Sequence, residues 1–234
     1  MKRVSVVIPA KNEEAAIGMV LDDVQSVRAK LNGYDIEVIV VLDHCTDSTR
    51  AVVESRGVRW VENHRRAGKG FALITGFEKS AGDVIVMMDG DYSHKAADIP
   101  VMIQTLEQGC GMVIGSRALG GSEEYEIIRL FGNVGLTALF RLLFGKPVYD
   151  ALNGYKAFVR GLFDNFRYSS RSFEIEIELL ANAFRMGLEV VEIRSSERRR
   201  AGGAMKSNAA RDGFRFLIKI IAEGIAFRLR RKRP

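Results

Sequence analysis

The sequence predicts an α/β fold with a mostly parallel central sheet flanked by helices. Short β-branched runs alternate with helix-like segments through the first half of the chain, and a polar cluster follows four of the five runs. The length of 234 residues fits one globular domain with a proper core. Hydrophobic residues at 47% and charged residues at 27% disfavour both wholesale disorder and a polytopic membrane protein.

Five buried strands are predicted in the first half because each is a short run bounded by Gly, Asp or Asn. They are residues 4–8, 36–42, 58–62, 84–88 and 112–114. The segments between them predict helices at residues 13–30, 46–56, 70–80 and 99–107. After Arg117 the sequence predicts a helix at residues 127–144, a strand at 155–159, a helix at 173–186 and a strand at 188–193. A basic loop at residues 198–207 and a last helix at residues 208–230 follow. We therefore divide the chain into a main domain, residues 1–207, and a C-terminal amphipathic helix with a basic tail, residues 208–234.

Four polar clusters stand at the carboxyl ends of predicted strands, at residues 9–13, 43–47, 89–91 and 115–117. In open α/β sheets, ligands collect beyond those ends, where loops and helix N-termini converge. We therefore expect the four clusters to face one crevice and to form a single site.

The third cluster, Asp89-Gly90-Asp91, predicts a Mg²⁺ or Mn²⁺ site. It places two carboxylates at i and i+2 directly after a buried strand, and its glycine lets the backbone turn tightly. Hard divalent cations take carboxylate oxygens and keep room for phosphate oxygens. An isolated Asp-x-Asp pair is more typical of a solvated loop or a helix cap. The interpretation therefore depends on the strand before it, and on Ser93, His94 and a helix after it.

The motifs, in their order along the chain, resemble those of family 2 glycosyltransferases with the GT-A fold. In the first half the resemblance is carried by residues 7–14, 40–49, 82–91 and 115–117. In the second half, residues 153–158, 173–177 and 200–208 are similar to the dolichol-phosphate mannose synthases and the polyprenyl-phosphate hexose synthases. The resemblance runs through nearly the whole chain, and several motifs in one order are more specific than any single motif.

The resemblance implies a role for each matching residue. The residues implied for the nucleotide pocket are Pro9, Ala10, Asn12, Glu13 and, against the base or ribose, Asp43. Those implied for the diphosphate and the metal are Asp89, Gly90 and Asp91. The resemblance places Arg117 near the donor and Asp150 near the acceptor. It places Arg200 and Lys206 in a mobile basic loop over the phosphates. We expect the reaction to depend on Asp91, Asp150, Arg117, Arg200 and Lys206.

Three further residues leave alternatives open. Lys69 belongs to a basic turn that lacks the P-loop spacing, and we expect it to touch the donor. Asn12 has an alternative role as a helix N-cap, which is compatible with binding. His94 is interpreted as a structural hydrogen-bonding group rather than a third metal ligand.

Two departures from the family's pattern affect donor and metal. Leu42 stands where the first aspartate of an Asp-Asp-Gly-Ser motif is usual, so the base of the donor stays open. Ser93 stands where the synthases have the glutamine of Gln-His-Pro-Pro. A metal ligand is then replaced by water or by Ser93 itself.

The resemblance implies an inverting transferase that moves a hexose from GDP-mannose or a UDP-hexose to a polyprenyl (dolichyl) phosphate. Such an acceptor has a second pKa of about 6, so it needs cationic steering more than a general base. We expect Asp150 to have a positioning role rather than to remove a proton. We expect Arg117, Arg200 and Lys206 to steer the acceptor phosphate toward the donor. The alternatives are a family 2 transferase with a soluble or polysaccharide acceptor, a nucleotidyltransferase, an inactive regulator and a basic binding module. No nucleic-acid-binding signature is present, so we expect no nucleic-acid partner.

The net charge of +6 indicates an anionic partner, and the last helix ends in the basic run 228–233. The apolar run of that helix is shorter than the about 20 apolar residues of a membrane span, and it contains Lys219 and Glu223, so we expect the helix on the membrane surface. The alternative is that it packs on the core. Two cysteines fit no disulfide framework, which indicates a reducing compartment. We therefore expect a peripheral protein at the cytoplasmic membrane face, with a small membrane subunit or a second copy as open partners.

Overall fold

The computed structural model of the chain describes residues 2–123, 127–202 and 208–231. The strands in that part of the chain are β1 (Lys2–Ala10), β2 (Tyr34–Leu42), β3 (Arg59–Glu62), β4 (Val84–Met87), β5 (Met112–Ser116), β6 (Lys156–Val159) and β7 (Val190–Arg194). The helices are α1 (Ile17–Arg28), α2 (Thr49–Ser55), α3 (Lys69–Lys79), α4 (Ile99–Glu107), α5 (Arg117–Gly120), α6 (Ile127–Phe144), α7 (Gly161–Asp164), α8 (Ile175–Arg185) and α9 (Ala209–Arg231). A 3₁₀ turn, Ala96–Asp98, precedes α4.

The strands form one mostly parallel sheet in the order β3-β2-β1-β4-β6-β5-β7. β1 lies parallel to both β2 and β4, β2 lies parallel to β3, and β5 lies parallel to β7. Among the strands that the structure describes, only β6 runs antiparallel to its neighbours, β4 and β5. The prediction of an α/β fold with a mostly parallel sheet is confirmed. Because β1, β2 and β4 are parallel neighbours, the polar loops that follow them meet at one edge of the sheet.

The core lies on both faces of the sheet because successive side chains of a strand point in opposite directions. Val7 of β1 packs in the cluster that includes residues of α3, α6 and α8. Val6 and Ile8 pack in the other cluster, with residues of α1, α2 and α4. The predicted continuous apolar run of β1 is therefore explained by burial on both faces.

Two predicted helices begin later than expected. α1 begins at Ile17 rather than at residue 13, and α2 begins at Thr49 rather than at residue 46. The backbone N–H of Thr46 donates to the Asn12 side chain at 2.8 Å, so the loops after β1 and β2 bond to each other before either helix begins. The short helices α5 and α7 and the 3₁₀ turn had not been predicted.

The last helix, α9, packs against α6 and α8. Its Ile220 and Phe227 are buried there. A stripe of apolar side chains on α9 is exposed, and we call these residues the α9 stripe: Phe214, Ile218, Ile221, Ile225 and Leu229. None of the helices in the described ranges is long and apolar enough to cross a membrane. The division at residue 207 stays a prediction, and the tail residues 232–234 lie outside the described part of the chain.

Candidate active site

Two cavities open at the strand ends, and they meet. The strand-end cavity, of about 450 Å³, is lined by residues from the loops after β1, β2 and β4. The helix cavity, of about 580 Å³, lies between the loop around Asp150 and helices α6 and α9. Both volumes are typical of small-molecule sites. The residues that line both cavities are Lys69, Asp89, Phe173 and Arg200.

Asp89 is held by a lysine at the junction of the cavities. The Lys69 ammonium lies 2.7 Å from Oδ1 of Asp89 and 2.8 Å from Oε1 of Glu176, which is almost fully buried. Burial alone would lower the pKa of Lys69, but the two carboxylates outweigh it and raise that pKa. Burial alone would raise the pKa of Asp89, but Lys69, with His94 and Arg200, holds it well below its usual range. Asp89 is therefore a carboxylate at neutral pH.

Asp91 is buried and held from two sides. Its Oδ1 accepts hydrogen bonds from the backbone N–H of Ser93 at 3.0 Å and from the Ser93 hydroxyl at 2.6 Å. Its Oδ2 lies 2.6 Å from the Arg200 guanidinium. The loop after β4 thus fixes one oxygen of Asp91, while the other faces a cation.

His94 has a structural role in the loop after β4. Its Nδ1 accepts a hydrogen bond from the backbone N–H of Asp89 at 3.0 Å, and its ring stacks on Tyr155 with centroids 4.7 Å apart. The histidine therefore fixes the backbone that presents Asp89. This placement agrees with the interpretation of His94 as a hydrogen-bonding group.

The residues around Asp89 and Asp91 fit a divalent cation that takes most of its ligands from phosphate and water. Both side chains line the strand-end cavity, and their oxygens, which pair with Lys69 and Arg200 in this structure, are the hard ligands that a divalent cation takes. Within the described residues, no group of three or more His, Cys, Asp or Glu side chains is arranged to hold a metal. The Ser93 hydroxyl, considered as a replacement ligand, is committed to Asp91.

Asp150 and Arg117 form an ion pair on the side of the helix cavity. The guanidinium donates to Oδ1 at 2.8 Å and to Oδ2 at 2.9 Å, and the backbone N–H of Arg117 also donates to Oδ2 at 2.9 Å. Burial alone would raise the pKa of Asp150, but the hydrogen bonds and charge of Arg117 lower it. A carboxylate so occupied is a weak base, and it holds the arginine in one orientation.

The nucleotide end of the strand-end cavity contains most of the residues predicted for it. Pro9, Ala10 and Glu13 line the cavity together with Asp43. Asp43 accepts hydrogen bonds from the side chain of Asn63 at 2.7 Å and from the backbone N–H of Gly68 at 2.9 Å. These two bonds tie the loop after β2 to the segment between β3 and α3.

Two predicted residues, Asn12 and Arg117, lie outside the strand-end cavity. The Asn12 side chain accepts a hydrogen bond from the backbone N–H of Thr46 at 2.8 Å and does not line either cavity. It joins the loops after β1 and β2 and does not cap α1, whose N-cap residue is Ala16. Arg117 lines the helix cavity rather than the strand-end cavity. Lys206 lies outside the described residues.

Sequence reasoning assigned no role to Glu176 or Lys156, which lie beneath the site. Lys156 is fully buried, and its ammonium donates to the carbonyl oxygens of Ala151 and Asn153. Burial lowers the pKa of Lys156 to about 8. The sequence signal that could have identified Lys156 is a charged residue inside a short, otherwise apolar predicted strand.

Two arginines of α9, Arg211 and Arg215, also line the strand-end cavity without having been predicted there.

Comparisons with known proteins show the family and the fold of the chain. The sequence pattern described as "Glycosyl transferase family 2" matches residues 5–167. The chain is 29% identical over 192 residues to the low-salt glycan biosynthesis hexosyltransferase Agl6 of Haloferax volcanii, covering 80% of this chain and 46% of that protein. It is 27% identical over 186 residues to the dolichol-phosphate mannosyltransferase of Pyrococcus furiosus, covering 76% of this chain and 52% of that protein. The chain thus spans about half the length of these two relatives.

A solved structure is similar over almost the whole chain. It is the glucosyl-3-phosphoglycerate synthase of Mycobacterium tuberculosis in complex with Mn²⁺, UDP and glucosyl-3-phosphoglycerate. The TM-score is 0.73 at 26% identity, and the match covers 97% of this chain and 80% of that chain. That protein therefore has a similar fold, and its complex contains Mn²⁺ and a nucleoside diphosphate.

Proposed function

The chain belongs to glycosyltransferase family 2, and on that premise we propose that it transfers a hexose from a nucleotide-diphospho-sugar to a polyprenyl phosphate. The observation that carries the proposal is the meeting of two cavities at Asp89, with Lys69 and Arg200 in the walls of both. A diphosphate donor fits the strand-end cavity and a phosphate acceptor fits the helix cavity. Their reacting ends would then meet at a junction that carries two cations.

On the donor side, the residues hold a leaving nucleoside diphosphate. A divalent cation bound at Asp89 and Asp91 would neutralise part of the charge that develops on that leaving group. Lys69 keeps Asp89 ionised, and the Ser93 hydroxyl fixes the orientation of Asp91. Arg200 lines both cavities, so its guanidinium is placed to stabilise charge as it moves from acceptor to donor phosphates.

On the acceptor side, positive charge draws in a phosphate. The acceptor oxygen forms a bond to the anomeric carbon as the bond from that carbon to the donor diphosphate breaks on the opposite face, which inverts the configuration. A phosphate is largely ionised at neutral pH, so the step needs no strong base. Arg117, oriented by Asp150, and Arg129 both line the helix cavity and supply the cationic steering.

The lipid part of the acceptor is supported by apolar surface beside the helix cavity. Leu130, Val134 and Phe216 line that cavity, and the α9 stripe is exposed on the same pair of packed helices. An exposed apolar face on a helix with a basic end is typical of interfacial membrane binding. We therefore infer that the protein works at a membrane surface.

A second candidate is transfer to a soluble acceptor that carries a phosphate. The similarity to the glucosyl-3-phosphoglycerate synthase favours it, because that protein binds a phosphorylated small molecule. The arginines of the helix cavity would serve such an acceptor equally well. The two candidates therefore differ in the role of the apolar surface.

A transfer assay separates the candidates. The full chain with MnCl₂ is incubated with radiolabelled GDP-mannose or UDP-glucose and with either a short-chain polyprenyl phosphate or 3-phosphoglycerate. We expect label in the organic phase with the polyprenyl phosphate, and none with the Asp91→Asn variant. Label found only in a water-soluble phosphorylated product would favour the second candidate. No transfer with either acceptor would contradict both.

A further inference from the structure

Two arginines bring the last helix to the wall of the strand-end cavity. Arg211 and Arg215 are four residues apart on α9 and therefore lie on one face of it. Both line the cavity together with Asp89, Asp91 and Arg200. The neighbouring faces of the same helix turn contribute residues such as Asp212 and Phe216 to the helix cavity. The first half of α9 thus forms part of the wall between the two cavities.

The two arginines differ from the other cations of the junction in how they are held. Lys69 and Arg200 each contact a site carboxylate at 2.6 to 2.7 Å. Arg211 and Arg215 instead share Oδ1 of Asp212, at 3.4 Å and 3.6 Å. The other oxygen of Asp212 accepts a hydrogen bond from the backbone N–H of Asn208 at 2.7 Å.

One carboxylate oxygen cannot satisfy two guanidinium groups, each of which has five N–H donors. Asp212 is buried between the two arginines, and its single negative charge leaves the group of three with a net positive charge. Their side chains keep 60% and 47% of their surface exposed. They therefore present positive charge to the cavity and can turn toward an anion there without breaking a close ion pair.

We propose that Arg211 and Arg215 bind the phosphates of the nucleoside diphosphate, both as part of the sugar donor and as the product. The inference rests on the proposed function, because it assigns these residues to the same donor cavity. Diphosphate is the part of the ligand that they fit, since guanidinium groups bind phosphate oxygens in a bidentate manner and the cavity already contains the paired carboxylates of Asp89 and Asp91. Asp212 is then a positioning residue that holds both guanidinium groups toward the cavity.

Calorimetric titration of UDP and GDP in the presence of MnCl₂ tests the proposal on the full chain. Arg211→Ala and Arg215→Ala should each weaken binding of whichever nucleotide the wild type prefers by about tenfold, with a larger loss in the double variant. Arg215→Lys should recover part of the loss because it keeps the charge. Binding of uridine or guanosine, which lack phosphate, should not change. Higher salt should weaken binding more in the wild type than in the double variant.

Arg28→Ala is the matched control, because Arg28 is an exposed arginine in the last turn of α1, at the opposite edge of the sheet. It should leave nucleotide binding unchanged. Equal nucleotide affinity in the wild type and the double variant would overturn the inference while leaving the proposed function intact. Parallel losses for nucleosides and nucleotides would also overturn it. A wild type that binds neither nucleotide would overturn the inference and the proposed function together.

Discussion

The guanidinium of Arg200 lies 2.6 Å from Oδ2 of Asp91, in the cavity where the donor diphosphate is proposed to bind. The arginine also lines the helix cavity. It therefore stands where positive charge can act on both phosphates during transfer.

Arg200→Ala should lower kcat by about 100-fold, because a preorganised donor of positive charge is removed from the reacting centre. Affinity for free nucleoside diphosphate should fall much less, since Lys69 and the metal ligands remain. Steady-state kinetics and direct nucleotide titration on the same preparation measure the two effects. Equal losses in kcat and in nucleotide affinity would show that Arg200 serves only ground-state binding.

Gly154→Ala should disrupt the junction of the cavities. A Cβ at residue 154 would lie 2.6 Å from the Lys69 ammonium and 2.9 Å from Oε1 of Glu176. The added methyl must displace that ion pair, so we expect a loss of about 1 to 3 kcal/mol in the free energy of unfolding and a strong loss of transfer activity.

Gly135→Ala is the control for this substitution. Gly135 lies in α6, and a Cβ there would meet nothing within 4 Å. The alanine should leave activity unchanged and raise helix stability slightly. Urea unfolding and the transfer assay compare the two variants. Wild-type activity in Gly154→Ala would contradict the tight packing of the junction.

Lys156 should make the free energy of unfolding depend on pH in the alkaline range. Its pKa is about 8 in the folded protein against an ordinary 10.5. Between these values the unfolded chain holds a proton that the folded chain has released, so the contribution of Lys156 to stability rises with pH, by up to about 3 kcal/mol in total. Below pH 8 both states are protonated and the contribution is constant.

The measurement is urea unfolding of the wild type and of Lys156→Met at intervals from pH 7 to pH 11. The quantity compared is the difference between their free energies of unfolding at each pH. The difference should change between pH 8 and 10.5 and be flat below that range. Parallel curves would show that Lys156 keeps its proton through burial. The comparison as a difference removes the contribution of tyrosines and cysteines that titrate in the same range.

The α9 stripe should bind membranes. Phe214→Ser with Ile218→Ser removes two exposed apolar side chains, 62% and 52% exposed, and should reduce sedimentation with vesicles of phosphatidylcholine and phosphatidylglycerol. Val101→Ser is the control, since Val101 is 48% exposed on α4, away from α9. Wild type that stays in the supernatant with such vesicles would contradict the membrane role and favour a soluble acceptor.

The sequence was sufficient for the fold class and for the carboxylates at the edge of the sheet, but not for the strand order or the antiparallel β6. β1 and β4 are apolar runs with polar ends, so Asp89 and Asp91 could be placed at the strand ends from local pattern alone. The partners of those carboxylates could not be placed. Lys69 and Glu176 are 107 residues apart, and their contact depends on how α3 and α8 pack. Asn12 was expected in the pocket, but its amide satisfies the neighbouring loop, a choice that depends on the backbone of Thr46.

The central claim is that Asp89 and Asp91 hold a divalent cation against a nucleoside diphosphate. The most direct measurement is the unfolding temperature of wild type and the Asp89→Asn, Asp91→Asn double variant with GDP or UDP, each with and without MnCl₂. We expect one nucleotide to raise the wild-type unfolding temperature by several degrees only when Mn²⁺ is present, and to leave the double variant unchanged. A shift of equal size without Mn²⁺, or in the double variant, would contradict the claim.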